Sequence, residues 1–103
     1  MNLYVVECHY HELTEEMAQI RPTHRKYVEE LFEAGHVIAA GRAQNSESAA
    51  GLFIVKAENE LGARDQLEKD VFVTGGFVRD ITVRHWDLAF GSVSGISPED
   101  LQR

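Results

Sequence analysis

Residues 21–35 have the sequence RPTHRKYVEELFEAG, which marks both ends of a helix. Pro22 suits the first helical position, where its missing N–H costs nothing, and Gly35 suits the left-handed residue that follows a last turn. Apolar residues recur between them at helical spacing and form one stripe: Tyr27, Val28, Leu31 and Phe32. His24 lies on this stripe, one turn closer to the N-terminus. The stretch therefore predicts an amphipathic helix with an imidazole at its N-terminal end, where a core residue is expected.

Other segments predict strands, because β-branched and aromatic residues recur in them with turn residues between. These strands are expected at residues 3–10, 36–41, 50–55 and 77–86. Thr14 can cap a short helical turn before the main helix, and a second helix starts at Asn59 and ends near Asp70. The polar residues 42–48 predict an exposed loop. The resulting order, β-α-β-β-α-β, predicts an α+β, ferredoxin-like fold in which both helices cover one face of a four-stranded antiparallel sheet.

The second face of this sheet needs another cover. The first and third strands carry apolar residues on both faces, whereas the two helices cover only one. A second copy of the chain, packed on the open sheet face, is the simplest cover and predicts a homodimer. Residues 1–86 form the domain in this prediction, and residues 87–103 form a tail that is either an arm on the dimer partner or a loose end.

Composition narrows the classes of partner. The formal net charge is −7 and the chain has no basic run, so a nucleic-acid backbone is not expected as a partner. No apolar stretch approaches the roughly 20 residues that span a bilayer, and no secretory signal pattern occurs at the N-terminus. The single cysteine, Cys8, lies in an apolar run and is expected to be a packed side chain. We therefore expect a cytoplasmic protein that binds neither nucleic acid nor membrane.

Several short motifs follow one another at suitable distances. They are Arg21-Pro22-x-His24-x-x-Tyr27-x-x-x-Leu31-x-x-x-Gly35, Ala40-Gly41, Asp70-Val71-Phe72 and a last strand that ends at Trp86. As a set they resemble the YciI-like (YCII-related) family over about residues 2–86. The resemblance implies a dimeric ferredoxin-like α/β barrel with a small pocket in which His24 meets Asp70. Two positions depart from the family: Val71 replaces a proline after the aspartate, and Arg42 replaces a proline after the glycine.

The implied pair, His24 and Asp70, has the groups of a general base and its orienting carboxylate. A helix N-terminus disfavours the protonated imidazole and a nearby carboxylate favours it, so one ring nitrogen could act as a base near neutral pH. No nucleophilic serine or cysteine stands out at a matching position. We therefore expect proton abstraction or water activation, as in an elimination of the dehydrochlorinase type or a hydrolysis. The alternative is a buried hydrogen-bonded pair that joins the two helices.

Further residues are expected to complete a site that needs no cofactor and no metal. The predicted substrate-binding residues are Arg21, Tyr27, Gly41, Arg42 and Phe72, with the arginines placed to hold an anionic group on a small molecule. His9 and His11 share one side of an extended segment, but no second close pair supports a metal site. Two functions stay open: a small-molecule lyase or hydrolase, and a non-catalytic module that binds a small metabolite or serves another enzyme.

Overall fold

The computed structural model describes residues 1–101, which form one sheet with helices against it. Its elements are β1 (Asn2–Tyr10), α1 (Glu15–Glu33), β2 (Val37–Gln44), β3 (Ala49–Ala57), α2 (Glu60–Glu68), α3 (Val71–Thr74), β4 (Val78–Trp86) and a 3₁₀ turn (Pro98–Asp100). The sheet is antiparallel throughout, with strand order β2-β3-β1-β4. The predicted α+β, ferredoxin-like fold is confirmed, and the short helix α3 is an addition to it.

The central strand β1 alternates between the two faces of the sheet. Its helix-side residues are buried: Tyr4, Val6, Cys8 and Tyr10. Leu3 belongs to a separate cluster on the opposite face. The neighbouring strands and the helices complete the helix-side core with Phe53, Val55, Met17, Leu31, Ala63, Leu67 and Phe72. Because this layer is apolar, α1 and α2 are held against the sheet by burial of apolar surface.

Helix α1 is one continuous helix that begins before the predicted one. Thr14 is its N-cap, and the Met17 N–H donates a 3.2 Å hydrogen bond to the Thr14 hydroxyl. Pro22 lies inside the helix, so the prediction of a separate turn followed by a helix starting at Pro22 is wrong. A proline there removes the hydrogen bond to the Ala18 carbonyl, yet α1 continues past it. The apolar stripe continues past it and packs on the sheet through Met17, Ile20, Tyr27 and Leu31.

The predicted end of α1 and start of α2 are confirmed. Gly35 has a φ of 84°, and the His36 N–H donates to the Leu31 carbonyl at 2.9 Å, which closes the last turn. Asn59 caps α2, because the Gly62 N–H donates to its side-chain oxygen at 2.8 Å. These caps set where the chain leaves one layer and enters the next.

Strand β2 is longer than predicted, and the loop after it is shorter. Arg42, expected in an exposed loop, lies in β2 opposite Gly51 of β3. The connection is residues 45–48, where the Glu47 and Ser48 N–H groups donate to the Asn45 side chain. Pairing with β3 therefore carries β2 to its last residue and holds Arg42 on a strand.

The described part of the tail, residues 87–101, packs on the open face of its own sheet. Leu88 is buried with Leu3 and Ile38 in the second apolar cluster. Partly buried side chains surround these three: Ile54, Trp86, Val93, Ile96 and Leu101. Residues 87–101 thus cover one end of the open face. Contact between the tail and a dimer partner stays a prediction, and residues 102–103 lie outside the described residues.

A tight turn shapes this cover. Ser94 and Gly95 both have positive φ, and their neighbours Val93 and Ile96 form an antiparallel bridge. Two successive positive φ values are typical of the turns that join closely paired strands. The Ser94 hydroxyl also donates a 2.6 Å hydrogen bond to the Ile38 carbonyl of β2. The tail is therefore attached to the sheet by polar as well as apolar contacts.

The surface carries a few large apolar side chains: Leu13, Phe32, Leu61 and Phe90. Phe32 was expected on the buried stripe of α1, but 56% of it is exposed. The stripe faces the sheet through Tyr27 and Leu31, and Phe32 lies to one side of it. Among residues 1–101, no helix combines the length and the apolar character that a membrane crossing requires.

Candidate active site

The His24 imidazole and the Asp70 carboxylate form a direct hydrogen-bonded pair. His24 Nδ1 lies 2.7 Å from Asp70 Oδ2, and the side chains are 14% and 3% exposed. An ionised carboxylate only accepts, so Nδ1–H donates and the lone pair of a neutral ring is on Nε2. Nε2 has no hydrogen-bond partner within residues 1–101, and His24 lines the cleft described below. The geometry leaves a basic nitrogen open to a ligand.

Two separate helical segments bring this pair together. His24 lies near the middle of α1, and Asp70 lies between α2 and α3. The Asp70 carbonyl accepts hydrogen bonds from the Val73 and Thr74 N–H groups, which fix the start of α3. The prediction that His24 sits at a helix N-terminus is wrong, because α1 begins at Glu15. Since the dipole effect is confined to the first turn, Asp70 is the group that orients the ring.

The Phe72 ring packs against the imidazole. The two ring centroids are 4.0 Å apart and the planes are inclined by 13°, which is a stacked arrangement. Phe72 is itself buried, with edge-on contacts to Tyr10 at 5.7 Å and to Phe77 at 6.3 Å between centroids. Stacking restricts the plane of the His24 ring and leaves its edge free for hydrogen bonds. Phe72 therefore helps Asp70 to fix the direction of Nε2.

A cleft of about 680 Å³ opens beside the pair, between α1 and strands β2 and β3. Three of the lining side chains are guanidinium groups, those of Arg21, Arg25 and Arg42, and Glu29 is the carboxylate among them. The chain as a whole carries a net charge of −7. A cluster of guanidinium groups in an acidic protein suits an anionic ligand.

The structure brings most of the predicted ligand-binding residues to this cleft. Arg21, Gly41, Arg42 and Phe72 line it, and their contact with a ligand stays a prediction. Tyr27 is not among the lining residues; its hydroxyl donates a 2.8 Å hydrogen bond to the Gln66 carbonyl. Burial first, and then the Asp70 charge, raise the pKa of the Tyr27 hydroxyl. Tyr27 thus joins α1 to α2 as a protonated donor, which favours a structural role.

Several residues of the cleft were not predicted from the sequence, among them Tyr10, Arg25, Gly51 and Phe53. A signal for Tyr10 was present, because it continues the inward alternation of β1 that begins at Tyr4. Gly51 and Arg25 had no such signal. Gly51 is a cleft residue only because β2 and β3 pair as far as Arg42, and that pairing depends on the register of two strands.

Ionisable groups that stay neutral lie on the sheet side of the pair. Burial raises the pKa of Cys8 from 9.0 to about 12, and the Asp70 charge adds to that effect. Burial, followed by Cys8 and Asp70, raises the pKa of Tyr10 from 10.0 to about 12, while Arg42 and Arg21 oppose the rise. Cys8 is 3% exposed, which confirms a packed side chain. Within the described residues, Asp70 Oδ1 is buried without a hydrogen-bond partner.

The described residues do not form a cluster of three or more His, Cys, Asp or Glu side chains that could hold a metal ion. His9 lies 3.8 Å from Glu7, and Glu7 accepts a 2.8 Å hydrogen bond from Arg84. The polar groups near His9 thus form an ion-pair arrangement on the open sheet face. The chemistry that the cleft residues themselves offer is acid–base catalysis and anion binding.

Comparisons with known proteins identify a family model and a similar structure. A family model described as the YCII-related domain matches residues 2–87. The chain is also similar to the solved structure of 5-chloro-2-hydroxyhydroquinone dehydrochlorinase from Burkholderia phenoliruptrix in complex with 2,5-dihydroxybenzoquinone. That likeness has a TM-score of 0.71 at 17% identity and covers 84% of this chain and 95% of that chain, so it shows the fold alone. No curated protein matches the sequence.

Proposed function

The chain belongs to the YCII-related family, and from this premise we propose that it is a small-molecule enzyme whose general base is His24. The observation that carries the proposal is the 2.7 Å contact between His24 Nδ1 and Asp70 Oδ2, with Nε2 open to an arginine-lined cleft. A general base needs a lone pair within reach of the substrate and a partner that fixes its direction. The His24–Asp70 pair has a group for each of these two roles.

The proposed reaction is an elimination or a hydrolysis on a small anionic compound. In an elimination, Nε2 of His24 takes a proton from the substrate, and the electrons of the broken bond expel a leaving group such as chloride. Asp70 accepts a hydrogen bond from Nδ1 throughout and stabilises the positive charge that the imidazole gains. Arg21 and Arg42 hold the anionic group of the substrate by charge-assisted hydrogen bonds. The name of the structural neighbour, a dehydrochlorinase, supports elimination as the first reaction to test.

The test is chloride release from 5-chloro-2-hydroxyhydroquinone, together with a set of small halogenated and hydroxylated acids. We expect His24→Ala to lower turnover by about 10²–10⁴-fold, the usual contribution of a general base. Asp70→Asn should lower it as well, since the amide cannot stabilise the imidazolium. His11→Ala is the matched control, because His11 is exposed and outside the cleft. Undiminished turnover in His24→Ala would contradict the proposal.

NMR signals of the His24 ring test the pair without a substrate. Asp70→Asn should change the ¹⁵Nδ1 chemical shift of His24, because an amide replaces the carboxylate that accepts from Nδ1–H. The ring signals of His11 should be the same in both proteins. If the ring responds to Asp70 and the screen yields saturable binding without turnover, the alternative function, a non-catalytic binding or accessory module, replaces the enzyme.

We also propose that the chain forms a homodimer in the cytoplasm. Its tail covers the Leu3 end of the open sheet face, but Val5 and Leu52 remain only half-buried on the rest of it. A second copy would cover these apolar side chains. Leu52→Glu should therefore yield monomers in analytical ultracentrifugation. Leu61→Glu, on the outer surface of α2, is the control that should not change the mass. A monomeric wild-type protein would contradict the proposed dimer.

A further inference from the structure

Tyr10 lines the cleft, and no group among residues 1–101 forms a hydrogen bond with its hydroxyl. It is the last residue of β1, and the pairing of β1 with β4 shifts by one residue between His9 and Tyr10. Such irregularities at strand ends often redirect a side chain toward a site. The ring is 7% exposed and lines the cleft, yet its hydroxyl has no hydrogen bond within residues 1–101. A donor in this position needs a partner from water or a ligand.

Gly51 makes room for this hydroxyl. A Cβ atom on residue 51 would lie 2.6 Å from the Tyr10 oxygen and 2.9 Å from the Phe53 ring. The Tyr10 oxygen therefore lies against the β3 backbone at Gly51. Arg42 of β2 is paired with this same glycine. Any side chain at position 51 would therefore displace the Tyr10 hydroxyl from its place beside the Arg42–Gly51 pair.

The charge around Tyr10 suits the recognition of an anion. Arg42 and Arg21 are close enough to lower the pKa of the phenol, but burial outweighs them and raises it to about 12. The hydroxyl is therefore protonated at neutral pH and donates. Its ring also meets Phe72 edge-on, and Phe72 stacks on His24. Tyr10 and the proposed base thus contact the same phenylalanine, next to the same opening.

We propose that Tyr10 is a substrate-binding residue that donates a hydrogen bond to an oxygen of a small, planar, aromatic anion. Phe53 and Phe72 line the cleft beside Tyr10 and offer aromatic contacts to a flat ring, and Arg21 and Arg42 balance its charge. The inference rests on the proposed function for its catalytic consequence. When His24 takes a proton from the substrate, the released electron pair is first delocalised onto this oxygen, and the Tyr10 hydroxyl stabilises that charge without transferring its own proton. The pair then returns to the carbon framework and expels the leaving group.

Binding of para-hydroxybenzoate, measured by isothermal titration calorimetry, tests the assignment. Tyr10→Phe removes the hydroxyl and keeps the ring, so affinity should fall by about tenfold, the loss of one charge-assisted hydrogen bond. Tyr4→Phe is the matched control, since Tyr4 is also buried on the helix side of β1 but contacts His85 and does not line the cleft. The saturated analogue cyclohexanecarboxylate should bind more weakly than the aromatic acid. Equal affinity in Tyr10→Phe and wild type, or no binding of para-hydroxybenzoate, overturns the proposal.

A second measurement uses the unaltered protein, in case Tyr10→Phe fails to fold. With ¹³Cζ-labelled tyrosine, the Tyr10 resonance should shift on addition of para-hydroxybenzoate, and those of Tyr4 and Tyr27 should not. A Tyr10 signal that ignores the bound ligand overturns the assignment. Turnover and binding together separate the two proposals. If Tyr10→Phe binds para-hydroxybenzoate more weakly and the wild type shows no turnover, the Tyr10 assignment stands and the enzymatic function is rejected. If the wild type turns over a substrate and Tyr10→Phe does so with the same kinetics, only the Tyr10 assignment is rejected.

Discussion

Asp70 keeps a carboxylate inside the core at a cost to stability. Its side chain is 3% exposed, and Oδ1 has no hydrogen-bond partner within the described residues. A buried acceptor without a partner costs about 1–3 kcal/mol. Replacing a buried charged group and its hydrogen-bond partner together by apolar side chains often leaves a protein equally stable or more stable. Stability alone is therefore a weak explanation for the His24–Asp70 pair, which favours a chemical role.

Stability measurements can separate the two roles of the pair. His24→Leu alone should lower the free energy of unfolding by about 3–5 kcal/mol, because it leaves a buried charge without its partner. The double variant His24→Leu/Asp70→Leu should return to within about 1 kcal/mol of the wild type, since the charge is gone as well. Urea unfolding at neutral pH measures both. A double variant as unstable as His24→Leu would support a structural pair.

The Cys8 thiol makes the stability of the protein sensitive to alkali. Its pKa is about 12 in the folded protein against 9.0 in an exposed thiol. The folded state holds the proton where the unfolded chain has lost it, so the stability that Cys8 contributes is present below pH 9 and is lost as the pH rises toward 12. The difference in unfolding free energy between wild type and Cys8→Ala should therefore decrease above pH 9.

Reactivity of the same thiol offers an independent check. At pH 8, a thiol reagent should label Cys8 only after the protein is denatured, because the folded side chain is buried and protonated. Rapid labelling of the native protein would show that the thiol is accessible.

At the scale of elements, α1 shows why local signals can mislead. Thr14 and Pro22 both mark helix starts, and the sequence alone offers no way to rank them. The stripe from Met17 to Leu31 decides for Thr14, because a helix that starts there packs two more turns on the sheet. The helix end at Gly35 was predicted correctly, because the sequence near it contains no competing signal for a helix end. The place of His24 within its helix was therefore wrong, although its pairing with Asp70 was implied by the family motifs.

The N-cap gives a direct test of where α1 begins. Thr14→Ala removes the oxygen that accepts from the Met17 N–H and should lower the unfolding free energy by about 1 kcal/mol. Thr14→Ser keeps that oxygen and should retain most of the stability. Thermal unfolding followed by circular dichroism measures both variants. No effect in Thr14→Ala would be the result expected of a helix that starts at Pro22.

The cleft was predictable only in part, because its walls come from different elements. The family motifs predicted that Phe72, His24 and Asp70 belong to the cleft, and each motif lies within a short stretch of chain. The place of Arg42 in the cleft follows from the full length of β2. The place of Tyr10 follows from the contact between β1 and α3. Long-range pairing of strands sets these positions, and residue spacing within one segment carries no information about it.

At the scale of the whole molecule, the tail adds to the apolar cluster at the Leu3 end of the second sheet face. Scattered apolar residues in a Gly- and Ser-rich stretch have no helical or strand period, so the sequence could not place them. The structure places Leu88 at 4% exposure beside Leu3 and Ile38. The four strands, by contrast, were predictable because turn residues separate them and apolar residues recur within each.

Two substitutions in the tail should differ sharply in effect. Leu88→Ala removes a buried side chain and should lower the unfolding free energy by about 2–4 kcal/mol. Phe90→Ala, two residues away and 91% exposed, should change it by less than about 0.5 kcal/mol. Chemical unfolding of each variant checks this. Equal stability of Leu88→Ala and Phe90→Ala would mean that the tail does not cover the sheet in solution. A loss of dimer in Phe90→Ala alone would instead place that ring on the partner.

The position of β1 at the centre of the sheet has a consequence for biosynthesis. β1 is made first, but its partners are β3 and β4, and β4 ends at Trp86. At about 5–20 residues per second, roughly 4 to 15 seconds separate the synthesis of β1 from that of β4. During that interval the apolar run Leu3-Tyr4-Val5-Val6 has at least one unpaired edge, which is a hazard for aggregation. Nascent chains that stall before Trp86 should therefore depend on chaperones far more than the finished chain.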